Sequence, residues 1–382
     1  MVRVGCPICS SKKVIFYTKV WDWFLETQTG EFDLWRCAGC GGYFLRPEPT
    51  EEDLAKAYPG DYWWGGGGDG LGRVMEWYRR LGARMVAGWI EKKVISPQVS
   101  PMLSFEPVIR TLRIIPIVFL KRLPAFSPTK RLFTHLFPES AAKTSSESTM
   151  RNSSCQRKRG GRLRVVELGS GVGTMLAVGR DRFGWEVKGV DFSKDASKAA
   201  KASYGVKVKV ADLEQRLPDL KRFDVVVASH VLEHLRKPEE FLRNVDRTTK
   251  SDVRLVVMVP NAGSLGVRLF GVGWRGFDVP RHLRTYTLSG LKKQLREAGW
   301  EVENEKKFSF RDDAAHLAGS MVPEWDPIVM GVRNDKPPKW LRSLKCLMFG
   351  IITMGLQLVA YIEGILGMGE TINVIATKSI NL

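Results

Sequence analysis

Histidine is scarce in this chain, five in 382 residues, so a reaction that needs an imidazole base has few to draw on. Cysteine is scarce as well. Of the six, four fall in two close pairs near the N-terminus, while Cys155 and Cys346 stand alone. That pattern excludes a secreted disulfide framework and fits a reducing compartment. The opening Met1-Val2-Arg3-Val4-Gly5-Cys6 has no apolar stretch, so no signal peptide is expected and the expected location is cytoplasmic. Acidic residues are outnumbered, 41 against 59 Lys and Arg, for a formal net charge of +18. The excess is local. Residues 96–164 carry +10, residues 1–95 only +1, and the remainder +7. Such a segment either touches nucleic acid or anionic lipid, or is a solvated linker. Internal repeats are absent. Hydrophobic residues make up 44%, enough for a sizeable core.

The texture of the chain changes along its length. Residues 1–47 look like a small independent module, and 48–95 read as a helical connector with an aromatic start at Tyr58, Tyr62, Trp63 and Trp64. Residues 96–162 are rich in Pro, then Ser/Thr, then Arg, and read as a basic insertion or linker, disordered in its second half. From 163 to 311 short apolar strands alternate with helices: Arg164–Leu168, Glu186–Val190, Val206–Val210, Phe223–Ala228 and Val253–Val259 as strands, with helices between. That alternation predicts a parallel sheet covered on both faces. A helix over Thr287–Ala298 and strands at Trp300–Phe308 and Ile372–Thr377 follow, with a helical cap expected over 312–370 and the last strand within 371–382.

The first of these strands runs into Gly169-Ser170-Gly171-Val172-Gly173 and a helix. Glycines serve where backbone must approach a ligand or take positive φ, and a helix start offers free N–H groups. The third glycine comes one residue too early for the dinucleotide loop G-x-G-x-x-G. Glu167 stands two residues before the first glycine. Asp191 lies 22 residues after it, at the end of the second strand, where a carboxylate can accept from both ribose hydroxyls. Asp212-Leu213 follows the third strand, the place where an acid meets an adenine amino group. The bland alternative is that Asp191 and Asp212 merely cap the helices that follow them.

Glu167 to Gly173, Asp191, Ala211-Asp212-Leu213, Ser229-His230-Val231-Leu232-Glu233-His234-Leu235 and Val259-Pro260-Asn261 together resemble the class I S-adenosylmethionine-dependent methyltransferases. The resemblance covers about residues 163–310, with a final strand near 371–378. It implies a Rossmann-like α/β fold: a seven-stranded, mostly parallel sheet with helices on both faces and its last strand antiparallel. It also implies cofactor contacts from Glu167, Gly169, Gly171, Asp191 and Asp212. Ser170, Gly173, Phe192, Leu213, Ser229 and His230 complete the expected cofactor site.

Cys6-Pro7-Ile8-Cys9 and Cys37-Ala38-Gly39-Cys40 are two C-x-x-C pairs separated by 27 residues. Four thiolates suit a closed, structural Zn²⁺ site, with a hairpin filling the gap. A redox role for either pair is the rival. Gly41-Gly42-Tyr43-Phe44 after the last cysteine resembles a zinc ribbon. A zinc-ribbon leader before a methyltransferase domain is similar to an arrangement common in bacterial and archaeal methyltransferases, many of which act on sugars or other small acceptors. The insertion at 96–160 does not fit that arrangement.

Methyl transfer from a sulfonium needs alignment, and a hydroxyl or ammonium acceptor needs a base as well. His282, after the fifth strand, is the first candidate base and His230, after the fourth, the second; a packed structural histidine is the alternative for each. His234, one helical turn from His230, is expected to pack or cap. Cys346–Ile362 is 17 residues without a charge, short of the roughly 20 a bilayer span needs. It is expected to be a buried or interfacial helix. With Lys336, Lys339, Arg342 and Lys345 before it, and Ile114–Leu120 flanked by Arg113 and Lys121-Arg122, it suggests peripheral contact with an anionic membrane. The leading function is a methyltransferase for a small-molecule, sugar or lipid-linked glycan acceptor. The rivals are an RNA methyltransferase and a cofactor-binding protein without catalysis. Nucleic acid is the weaker partner, because the basic excess lies in the expected linker and not on a folded face.

Overall fold

The computed structural model describes residues 5–58, 70–95, 162–215, 217–333 and 337–379. Nearly all of the expected basic insertion lies outside the described residues, as do His135, the apolar stretch Ile114–Leu120, and Tyr62, Trp63 and Trp64. Met1–Val94 and Arg162–Leu382 form one compact unit, distinct from Ile95–Gly161.

The unit is built on a seven-stranded sheet. Its strands are β4 (Arg164–Leu168), β5 (Glu186–Asp191), β6 (Val208–Val210), β7 (Val225–Ser229), β8 (Arg254–Pro260), β10 (Trp300–Lys306) and β11 (Thr371–Lys378), in the order β10-β11-β8-β7-β4-β5-β6. The pairs β8-β7, β7-β4, β4-β5 and β5-β6 are parallel, and β11 is antiparallel to both its neighbours. The alternating pattern predicted the parallel strands, and the family resemblance implied the Rossmann-like seven-stranded order with its reversed last strand. The continuous valines of β7 and β8 follow from burial on both faces: Val225 to Ala228 and Leu255 to Val257 are fully inaccessible. β10, at an edge, instead alternates exposed residues with Trp300, which is buried, and the half-buried Val302, Asn304 and Lys306.

Helices α3 (Thr174–Phe183), α4 (Lys194–Tyr204), α5 (Pro238–Thr248) and α7 (Leu288–Glu297) connect these strands. Ser193 caps α4 by accepting from the Ala196 N–H, and Thr287 caps α7 by accepting from the Gly290 N–H. Two further helices precede the sheet, α1 (Glu51–Ala57) and α2 (Gly70–Ile95). Short α6 (Leu265–Phe270) follows β8. The expected cap before β11 consists of α8 (Asp313–Met321), α9 (Pro327–Val332), α10 (Lys339–Gly355) and α11 (Gln357–Ile365).

The N-terminal module departs from the independent unit expected of it. Its strands β1 (Val14–Trp21), β2 (Glu31–Cys37) and β3 (Tyr43–Leu45) form an antiparallel sheet whose fourth strand, β9 (Arg284–Thr285), comes from the segment after β8. Tyr43 pairs with Thr285 and Phe44 with Arg284. Cys6, Ile8, Cys37 and Phe44 share one hydrophobic cluster with Leu291 and Leu295 of α7. Nothing local in Arg284-Thr285 announces a strand two residues long; the pairing is a tertiary contact.

Candidate active site

The carboxyl edge of the parallel strands carries the site. β4 ends at Leu168, and the loop after it turns through left-handed glycines: Gly169 at φ +73°, Gly171 at +50° and Gly173 at +74°. At Gly169 a Cβ would sit 2.5 Å from Val231 Cγ2, so both the conformation and the space demand glycine. Gly173 opens α3 as its N-cap. The Gly169 N–H donates to the Val190 carbonyl at 2.8 Å, which ties the loop to β5. Asp191, 2% exposed, fixes it from the other side: Oδ2 accepts from the Gly171 N–H at 2.7 Å and Oδ1 from the Ser193 N–H at 2.9 Å. Asp212 is held beyond β6, with Oδ1 accepting from the Glu214 N–H and Oδ2 from Gln215.

These groups border a cleft of about 760 Å³. Glu167, Gly169, Ser170, Gly171, Asp191, Phe192, Asp212, Leu213, Ser229 and His230 all line it; Gly173 does not. The opposite wall comes from outside the β-α core: Leu54 and Tyr58 at the end of α1, Arg79 and Ala83 of α2, and Arg311. Glu167 Oε2 and Ser170 Oγ are buried without a hydrogen-bond partner. Burial pushes the Glu167 carboxyl up to about 8; the Asp191 charge adds to the rise and Arg311 opposes it. Buried polar groups of this kind are costly unless something in the cleft answers them.

His230 sits at φ +53°, at the point where β7 enters a tight turn. Its Nδ1 lies 3.1 Å from Glu233 Oε1 and its Nε2 3.5 Å from Asp312 Oδ2. Burial alone would lower its pKa, but the two carboxylates outweigh it and raise it to about 9. His230 is therefore an imidazolium at neutral pH. Arg311 Nε donates to Asp312 Oδ1 at 2.6 Å, completing a half-buried chain of alternating charge at the cleft.

A family model described as a methyltransferase domain matches residues 122–305. Over those residues the chain carries a methyltransferase domain. Among solved structures, a SAM-dependent methyltransferase from Archaeoglobus fulgidus is 22% identical, with 57% of this chain and 87% of that one covered and a TM-score of 0.37. The cyclopropane synthase MmaA2 from Mycobacterium tuberculosis is 14% identical, covering 57% and 78%, with a TM-score of 0.39. The [4+2]-cyclase SpnF is 20% identical, covering 58% and 76%, with a TM-score of 0.38. No curated protein sequence matches the chain.

In this methyltransferase His282 stands away from the cleft. It is buried behind His234, ring centroids 4.7 Å apart, and its Nδ1 donates to the Gly276 carbonyl at 2.7 Å. Burial first, and then the neighbouring His234, lower its pKa to about 4. The reason lies in the preceding residues. Arg281 is fully buried, donating to Asp22 Oδ1 at 2.6 Å, to Asp278 Oδ1 at 2.9 Å and to the Ala57 carbonyl at 3.2 Å. That clamp fixes the segment with His282 turned inward. His234 does line the cleft, but through a turn and not a helix, and its Nδ1 lies 2.9 Å from the Tyr58 hydroxyl and 3.0 Å from the Arg281 carbonyl. Glu233, His234 and His282 bring one ligand-type atom each within 4.8 Å of the others. Because His230 already neutralises Glu233, the trio is accounted for as a packed polar core. Sequence reasoning missed Arg311 and Asp312, which follow an edge strand about 80 residues past His230 and show no motif.

The four cysteines Cys6, Cys9, Cys37 and Cys40 converge, all buried and unbridged, with sulfurs within 4.8 Å of one another. Backbone N–H groups of Ile8, Gly39 and Cys40 donate to Cys6 and Cys37 sulfurs at 3.3–3.4 Å. The cluster is compatible with a zinc ribbon.

Proposed function

We propose that the enzyme methylates a small-molecule or glycan acceptor held against the cleft, in the cytoplasm, with a structural zinc ion in the four-cysteine cluster. The observation that carries this reading is the pair of unanswered buried groups, Glu167 Oε2 at the end of β4 and Ser170 Oγ on the glycine loop, in a cleft that Asp191 and His230 also line. They fit the amino-acid end of S-adenosylmethionine. Each Asp191 oxygen accepts one backbone N–H, which leaves a second lone pair on each for ribose hydroxyls. Asp212, Leu213 and Phe192 would border the adenine. When bound, the cofactor supplies an electrophilic methyl on a sulfonium.

The chain's own residues then have separable tasks. The glycine loop and Asp191 position the donor. Tyr58, Arg79 and Arg311 form the acceptor-side wall and exclude water. His230, the imidazole that lines the cleft hydrogen-bonded to Glu233 and within ion-pair reach of Asp312, holds or accepts a proton at Nε2 or Nδ1. His282 orients His234 and does not touch the acceptor. In the cysteine cluster four sulfurs leave no position open, so zinc there would hold the fold and not take part in transfer. Incubation with methyl-labelled cofactor and pools of sugar nucleotides, lipid-linked sugars and RNA tests the assignment. Label in the sugar or small-molecule fractions supports it; label in RNA alone refutes it.

A further inference from the structure

The outer face of the cap is apolar. Trp340, Leu344, Met348, Ile351, Leu358 and Ile362 lie along α10 and α11, each between 37% and 69% exposed. Their spacing of three, four and seven residues places them on one side of the helices. The opposite side, Cys346, Phe349, Thr353, Gln357 and Ala360, is buried in the protein. The stretch Lys339–Ile365 is 27 residues long with a mean hydropathy of 1.7 in its most apolar window, enough by length and composition to cross a membrane. Its buried side argues against a crossing, because a spanning helix here would pull Gln357 and Glu363 away from the fold. An amphipathic helix with one apolar face lies in the plane of a bilayer surface.

Charge identifies the surface. Exposed Lys339 and half-buried Arg342 and Lys345 stand in the first two turns of α10, beside the apolar stripe and not on it, with stems long enough to reach a headgroup layer. The only acid between Lys339 and Leu366, Glu363, is 2% exposed and faces inward. An apolar stripe with cations at one end and no exposed carboxylate complements anionic headgroups. The element is also joined to the cleft. Gln357 Nε2 donates to the Phe310 carbonyl at 3.1 Å and to the Tyr78 hydroxyl at 2.9 Å. That hydroxyl donates in turn to the Phe310 and Arg311 carbonyls, and Arg311 lines the cleft.

We propose that the α10–α11 face docks on an anionic membrane surface and brings the cleft to an acceptor carried by that membrane. The second clause rests on the methyltransferase reading above; the first does not. The test is sedimentation of the full-length protein with vesicles of phosphatidylcholine alone and of equal parts phosphatidylcholine and phosphatidylglycerol. The wild-type protein is expected to pellet with the mixed vesicles. Lys339→Gln/Arg342→Gln/Lys345→Gln should lose partition by roughly a hundredfold. Ile351→Ser/Leu358→Ser should remain in the supernatant, with melting temperature and cofactor affinity unchanged because both side chains are exposed. A wild-type protein that stays in the supernatant overturns docking. So does a wild-type dimer that the serine variant converts to monomer while neither binds vesicles, since a second copy would then cover the face. Vesicle binding without cofactor uptake would leave docking standing and remove the acceptor clause.

Discussion

Two residues of the cleft, Glu167 and His230, carry raised pKa values. Glu167, near 8, is largely protonated at neutral pH in the free protein, and an ammonium group placed against it favours the carboxylate. Cofactor binding at pH 7 should therefore release a proton, and the release should vanish by pH 9, where Glu167 is already ionised. Calorimetry in two buffers of different ionisation heat measures this directly. Glu167→Gln should abolish the release and weaken binding by about 10- to 100-fold, the scale of a charge-assisted hydrogen bond. His230 gives the second expectation. With a pKa near 9 it can act as a base only as pH rises, so turnover should climb between pH 7 and 9 if His230 accepts the acceptor's proton. Asp312→Asn removes one of the charges that raise it and should move the climb to lower pH. A profile that is level over this range, in both proteins, would take His230 out of proton transfer. The sequence alone placed the glycine loop, Asp191 and Asp212, because strand ends and helix starts are local features. It misplaced His282, because the Arg281 clamp that turns it inward is made with Asp22, some 260 residues away.

At the scale of elements the strands and helices between 164 and 306 follow their apolar pattern closely, since a doubly covered parallel sheet leaves valine runs that no other environment explains. β9 was illegible for the opposite reason: two residues carry no period, and only the facing edge of β3 makes them a strand. That junction is predicted to be a stability hinge. Arg281→Ala strips the partner from buried Asp22 and Asp278 and should cost about 3–5 kcal/mol in denaturant unfolding. A loss under 1 kcal/mol would show the clamp to be incidental. In the cap, burial and then the Glu370 charge raise Glu363 to about 7. A carboxyl whose folded pKa is raised costs the fold stability progressively as pH climbs from its ordinary range through about 7, and the cost is constant above that. Glu363→Gln should accordingly raise the melting temperature at pH 8 and leave it unchanged at pH 4; equal shifts at both would mean that ionisation is not the cause.

At the scale of the molecule, the four-cysteine module, the methyltransferase sheet and the helical cap are one unit, since β9 closes the module's sheet and the Arg311 loop joins the cap to the cleft. Loss of the cysteine site should then be felt beyond the module. Cys37→Ser, or exhaustive chelation, is predicted to lower the melting temperature of the whole cooperative unit; a core transition left in place with only a small early melting step would show the module to be separable. The basic segment 96–161 and Tyr62, Trp63 and Trp64 lie outside the described residues. The central claim is that the glycine loop, Glu167, Asp191 and Asp212 form one cofactor site. Titration calorimetry of the full-length protein with S-adenosylhomocysteine tests it most directly. One equivalent should bind, and Asp191→Ala should abolish the binding without unfolding the protein; absence of binding to the folded wild-type chain would contradict the account.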